Sequence, residues 1–128
     1  MIGIGPYISH RATPFGQCSN GQYPNGNLAL TLRLIAILRL MFPYALIPAT
    51  TALGTIAPNG RILGLKAGAN IVMPNLSPVE VRKKYELYND KIHTDQEAAE
   101  NTALLVDSVA IAGYRVVTDV GDVKPFVV

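Results

Sequence analysis

Residues 45–78 read ALIPATTALGTIAPNGRILGLKAGANIVMPNLSP and decide the fold. The apolar run at 45–49 predicts a buried strand that ends in a stretch rich in small and hydroxyl residues. Residues 58–67 predict a helix with a proline in its first turn and Gly68 as its C-cap. The apolar run at 70–73 predicts another strand. A strand, a helix and a strand in this order are typical of a βαβ unit with parallel strands.

The same alternation extends towards the N-terminus. Residues 1–8, MIGIGPYI, predict a short buried strand, and the Gly-, Pro- and Asn-rich residues 9–26 predict a loop. Asn27 suits the N-cap of an amphipathic helix at 28–42, which Pro43 stops. The sequence therefore predicts another strand and helix before the deciding stretch.

The C-terminal part of the chain is predicted to be helical with one last strand. Ser77 and Glu80 form a capping box at the start of one helix. A second helix is expected over residues 96–112, ending at Gly113, and the run YRVVT at 114–118 predicts the strand.

These elements place the chain in the α/β class. They amount to about three βα units plus a C-terminal helix and strand, which is part of a (β/α)8 barrel of the TIM type. A closed barrel needs about 250 residues, and the chain has 128. Because three parallel strands leave two unpaired edges, we expect a missing N-terminal barrel half or a complementing chain as partner.

Composition narrows the function classes. Hydrophobic residues make up 49% and charged residues 16%, with a net charge of +2. The basic cluster at 82–84 is expected to be a solvated helix face, so no nucleic-acid partner is predicted. The apolar stretch at 28–41 is too short for a membrane span of about 20 residues. The single cysteine, Cys18, fits a reducing compartment, and we expect a cytoplasmic protein.

Candidate binding residues follow the predicted strands, because ligands of parallel α/β proteins gather at the carboxyl ends of the strands. Thr50 and Thr51 have hydroxyls that either satisfy the local backbone or face a small anion. Met73 suits either a core position or a ligand contact. His10 lies in the loop after the first strand, with no partner residue at a spacing typical of a site.

No metal site is predicted. Glu97 and Glu100 form one carboxylate pair in sequence, and Asp119 and Asp122 form another. Neither pair has a histidine or cysteine nearby to complete a set of ligands, so both are expected to be solvated.

Four stretches resemble a known family. They are GIGPYISHRATPF (3–15), IPATTALGTIAPNGR (47–61), GANIVMPNLSPVEVRKKYELYNDKI (68–92) and GYRVVTDVGD (113–122). The first three are similar to segments of the HydE-type [FeFe]-hydrogenase maturases, which are radical S-adenosylmethionine (SAM) enzymes. The fourth is similar to the end of the biotin and thiamin synthesis associated region, which would cover about 28–122. Biotin synthase and methylornithine synthase have the same general layout and stay open as alternatives.

The resemblance implies that residues 1–128 are the C-terminal part of a radical SAM barrel. In that family a [4Fe-4S] cluster, held by CxxxCxxC, cleaves SAM reductively to a 5′-deoxyadenosyl radical, which HydE uses on an iron-containing precursor of the hydrogenase cluster. Ile4, Gly5 and Pro6 would lie along the SAM side of the cavity. The residues expected to line the substrate side are Thr50, Thr51, Met73 and Tyr88.

The sequence departs from the family at the cluster. CxxxCxxC is absent, and Cys18 alone cannot replace three thiolates. His93 stands where some members have a cysteine of an auxiliary cluster, so that cluster is not expected either. With no catalytic residue of its own, the chain is expected to be inactive without the missing half.

A second hypothesis is a stand-alone module that binds a small anion or a partner. The predicted buried strand that begins at Met1, with no polar lead-in, favours the enzyme fragment over this module.

Overall fold

The computed structural model describes residues 1–17, 26–82, 84, 98–118 and 121. Several features named above lie outside these residues, namely Cys18, Lys83, Tyr88, His93, Glu97, Asp119 and Asp122. The described residues form the helices α1 (Pro14–Gln17), α2 (Leu28–Met41), α3 (Thr51–Ile56), α4 (Gly60–Lys66), α5 (Val79–Arg82) and α6 (Ala98–Ile111). None of these helices is long and apolar enough to span a membrane.

Helix α2 begins and ends where the sequence predicts. The Asn27 side chain accepts a hydrogen bond from the backbone N–H of Leu30 at 3.0 Å, which satisfies one of the unpaired donors of the first turn. At the other end the Phe42 N–H donates to the Leu38 carbonyl, and Pro43 follows. The N-cap and the stop at proline are both confirmed.

Three segments predicted as strands lie side by side without forming strands. The first (1–8) is bonded to the second (45–49) from the Ile2 N–H to the Leu46 carbonyl at 2.8 Å. The second meets the third (70–73) in an isolated parallel bridge between Pro48 and Ile71. The bridge consists of two bonds, one from the Ile71 N–H to the Ile47 carbonyl and one from the Ala49 N–H to the Ile71 carbonyl. The predicted neighbours are present, but no strand occurs among the described residues.

The predicted closing strand at 114–118 is likewise not present as a strand. These residues follow α6, and the Tyr114 N–H donates to the Val109 carbonyl in the last turns of that helix at 3.0 Å. Gly113 has a φ of 90°, a conformation that favours glycine, and it turns the chain away from the helix axis. The bond back to α6 therefore replaces the start of the expected strand.

The sequence did not predict helix α3, which occupies the stretch expected to be an open strand end. Thr50 is its N-cap and Ala57 its C-cap. Helix α4 is shorter than the predicted 58–67, and its C-cap is Ala67, one residue before the predicted Gly68. Gly68 follows with a φ of 122°, a conformation that favours glycine. A helical hairpin of α3 and α4 thus connects the second and third segments.

The core lies between the second segment and helices α2, α3, α4 and α6. Ile35, Ile47 and Leu53 are completely buried, and they come from α2, the second segment and α3. Val109 of α6 joins the same cluster. Burying a large aliphatic side chain stabilises a fold by about 1.5–3 kcal/mol, so these few positions fix the arrangement of the helices.

Gly60 allows α3 and α4 to pack in close contact. A Cβ at this position would overlap the carbonyl of Leu53, whereas a Cβ at Gly3 would meet no atom within 4 Å. We predict that Gly60→Ala lowers the free energy of unfolding by at least about 2 kcal/mol, because backbone atoms cannot give way as side chains do. Gly3→Ala should change it by less than about 0.5 kcal/mol. Urea denaturation of both variants measures the difference, and equal stabilities would contradict the close packing.

Candidate functional site

The first and second segments meet at Gly5 and Thr50, and the region around this contact is called the recess. Gly5 lies directly against Thr50, since a Cβ on Gly5 would be 3.0 Å from the Thr50 hydroxyl oxygen. Pro6 is buried beside it, and Ile4 is half-buried. The structure therefore brings together Gly5 and Thr50, two residues that the sequence placed on opposite sides of one cavity.

The Thr50 hydroxyl is the notable polar group of this recess. Thr50 caps α3 with its backbone, but its side chain makes no capping hydrogen bond. Its Oγ1 is buried and has no hydrogen-bond partner among the described residues. Since a buried hydroxyl without a partner costs free energy, this oxygen is suited to a bond with a bound molecule.

Thr51 is paired with an arginine that the sequence did not indicate. The Arg61 Nη2 donates to the Thr51 Oγ1 at 3.0 Å. Arg61 lies in the first turn of α4, so the hairpin of α3 and α4 carries its guanidinium back to the start of α3. Only the unpredicted α3 explains this pairing, because a spacing of ten residues is not a recognised motif.

The other predicted residues are less informative. Met73 lies in the third segment with 52% of its surface exposed, so it is not a core residue. The roles predicted for Met73 and for Ile4, Gly5 and Pro6 stay predictions. Tyr88 lies outside the described residues.

His10 takes part in a local turn. Its Nδ1 accepts from the Ala12 N–H at 3.1 Å, and its carbonyl accepts from the Thr13 hydroxyl at 2.8 Å. These bonds hold the imidazole in the loop after the first segment, as an ordinary loop histidine would be held.

The chemistry of the recess is that of a binding site. The Thr50 hydroxyl, together with the neighbouring Thr51 hydroxyl and the arginine bonded to it, can hold an anionic or hydroxylated group. Within the described part of the chain, no three His, Cys, Asp or Glu residues are grouped so as to hold a metal ion.

Comparison with known proteins adds relatives of two kinds. The [FeFe] hydrogenase maturase subunit HydE of Thermotoga maritima is 46% identical over 92 residues, which cover 72% of this chain and 25% of that protein. The 3-methylornithine synthases of Methanosarcina barkeri and Methanosarcina acetivorans are 40% and 37% identical, over 61% and 67% of this chain. No protein-family profile matches the chain.

These matches show to which class of protein the chain is homologous. Both kinds of relative are radical SAM proteins, and the chain is homologous to part of them. Within that class it resembles the maturase HydE, as the quoted stretches indicate. The chain spans about a quarter of the length of HydE and 20% and 23% of the two synthases.

The missing partner of the Thr50 hydroxyl has a measurable consequence. Thr50→Val removes an unpaired buried oxygen without changing the side-chain shape, so we predict that the free energy of unfolding rises by up to about 1 kcal/mol. Thr31 is the matched control, because its hydroxyl is buried and donates to the Asn27 carbonyl at 2.9 Å.

Thr31→Val should therefore lower the free energy of unfolding by about 1 kcal/mol. Thermal and urea denaturation of the two variants measure both changes. A Thr50→Val variant that loses as much stability as Thr31→Val would show that the Thr50 hydroxyl has a partner within the protein.

Proposed function

We propose that the chain forms one side of the SAM and substrate cavity of a radical SAM enzyme of the HydE kind. The observations that carry this proposal are the contact of Gly5 with Thr50 and, one residue further along the chain, the bond between Thr51 and Arg61. Gly5 belongs to the stretch assigned to SAM, and the threonines belong to the stretch assigned to the substrate. Homology to radical SAM proteins supports the same assignment.

Each residue has a definite task in this proposal. The Thr50 hydroxyl donates to a polar atom of the bound molecule, which satisfies its buried oxygen. Arg61 supplies positive charge. The bond from its Nη2 to the Thr51 Oγ1, at 3.0 Å, fixes the position of the guanidinium. An anionic group of the substrate, such as a carboxylate, fits this pair. Gly5 packs against Thr50 and so holds the first segment beside these residues.

The [4Fe-4S] cluster does not fit this chain. A cluster of this type needs three thiolates besides SAM, and the 128 residues contain one cysteine. The electron for cleavage of SAM must therefore come from a cluster on a further polypeptide stretch or a complementing chain. The chain supplies binding and positioning, and the proposal assigns it no catalytic residue.

A second candidate function is that the chain forms the same part of an enzyme of the methylornithine synthase type. The identities of 40% and 37% to the two synthases favour it. An amino-acid substrate also carries a carboxylate, which Arg61 and the threonines could hold. The reaction then differs, while the role of the recess stays the same.

A chimera tests the proposal. We predict that T. maritima HydE, with the segment that corresponds to this chain replaced by the whole chain, still releases 5′-deoxyadenosine from SAM. Thr50→Val in the chimera should lower the rate at limiting substrate by about tenfold, since a hydrogen bond to a charged group contributes about 1.5–3 kcal/mol. Thr102→Val, in the exposed part of α6, is the control and should keep the rate.

The isolated chain gives the complementary result. After reconstitution with iron, sulfide and a reductant it should release no 5′-deoxyadenosine, because it lacks the thiolates for the cluster. Product from the isolated chain would contradict the proposal. So would a chimera in which Thr50→Val and Thr102→Val behave alike.

A further inference from the structure

A second cavity lies away from the recess. It has a volume of about 500 Å³, within the range of pockets that bind small molecules. One wall is formed by residues 68–72, at the start of the third segment, and the other by residues 114–117. The two walls come from distant parts of the sequence, and Val109 of α6 also lines the cavity. None of the functional assignments above uses this cavity.

Arg39 of α2 lines the cavity, and one of its guanidinium nitrogens has no hydrogen-bond partner among the described residues. Its Nε donates to the Gly68 carbonyl at 2.8 Å, and its Nη1 donates to the Pro43 carbonyl at 2.7 Å. Its Nη2 is buried and has no hydrogen-bond partner among the described residues. A buried guanidinium nitrogen in this state lacks an acceptor, and an anion in the cavity would supply one.

Gly68 fixes the arginine in this position. A Cβ at Gly68 would lie 2.8 Å from the Cβ of Arg39, so the aliphatic part of the arginine packs directly on the glycine backbone. The φ of 122° at Gly68 also favours glycine. The guanidinium is thus held from both sides and is preorganised for a ligand.

The rest of the wall has the character of an amphipathic pocket. Arg115 contributes a second positive charge, and the described lining residues include no carboxylate. Most of the lining is apolar, with Val72, Val116 and Val117 among its members. Val117 keeps 69% of its surface exposed, so an apolar body would bury surface that now faces water.

We propose that this cavity binds a small carboxylate with an apolar body. The carboxylate accepts from the Arg39 Nη2, and Arg115 adds long-range attraction. The apolar body packs between Val72 and the valines of 116–117.

Titration of the full chain with octanoate tests the proposal. In NMR spectra of the ¹⁵N-labelled protein, the amides of Val72, Tyr114 and Val116 and the Nε–H of Arg39 should shift in a saturable way. The neutral analogue 1-octanol should bind at least about tenfold more weakly, since it lacks the charge that Arg39 recognises. Equal affinities, or no saturable shifts with octanoate, would overturn the proposal.

Two substitutions at one exposed position separate charge from shape. Val117→Glu places a carboxylate near Arg39 and Arg115, where it competes with octanoate and repels it, so binding should weaken at least about tenfold. Val117→Gln removes the same valine contact without adding a charge, so it should bind octanoate at least about tenfold more tightly than Val117→Glu does. Equal binding by the two variants would show that no anion is recognised there.

Discussion

The structure depends on the hydrogen bonding of one short buried segment, residues 45–49. Ile47 is completely buried, so its backbone groups need partners within the protein. Its N–H donates to the Asn70 side-chain oxygen at 2.8 Å, and its carbonyl accepts from the Asn70 N–H at 2.8 Å. In a regular parallel sheet the Ile47 N–H would donate to a backbone carbonyl of the third segment, and here the Asn70 side chain takes the place of that carbonyl. Asn70 therefore holds the second and third segments together.

Both ends of this segment acquire their neighbours in the same way. Leu46 accepts from Ile2, and Ala49 donates to Ile71, each at 2.8 Å. The chain then enters α3 at Thr50 without a side-chain cap. The Thr50 hydroxyl therefore has no hydrogen-bond partner among the described residues, and it lies where Gly5 of the first segment contacts the end of the second.

The sequence predicts those features that local chemistry determines. Helix α2 is fixed by Asn27 at one end and Pro43 at the other, and both signals act within a few residues. The proximity of the first three segments also follows from their apolar runs. Helix α3 was not predicted, because TALGTI contains two threonines and a glycine, residues of low helix propensity. Its packing against Gly60 of α4 overrides that propensity, and Leu53 gains complete burial.

Some of the site residues could likewise be predicted from local sequence, and others could not. Gly5 and Thr50 could be placed near each other because Gly5 lies within the first predicted strand and Thr50 follows the second, and their contact needs only parallel neighbours. Arg61 could not be found, since its contact with Thr51 requires the hairpin of α3 and α4. Likewise the partners of Arg39 are backbone carbonyls beyond Met41 and at Gly68, which carry no sequence signature.

The parallel arrangement also separates the two proposed sites. Thr50 follows the second segment at its carboxyl end, while Gly68 precedes the third segment at its amino end. Because the bridge between Pro48 and Ile71 is parallel, these two positions lie at opposite ends of the paired segments. The recess and the Arg39 cavity therefore share a scaffold without sharing a residue. Substitutions at sites so separated act on stability almost additively, so each site can be altered while the other serves as its internal control.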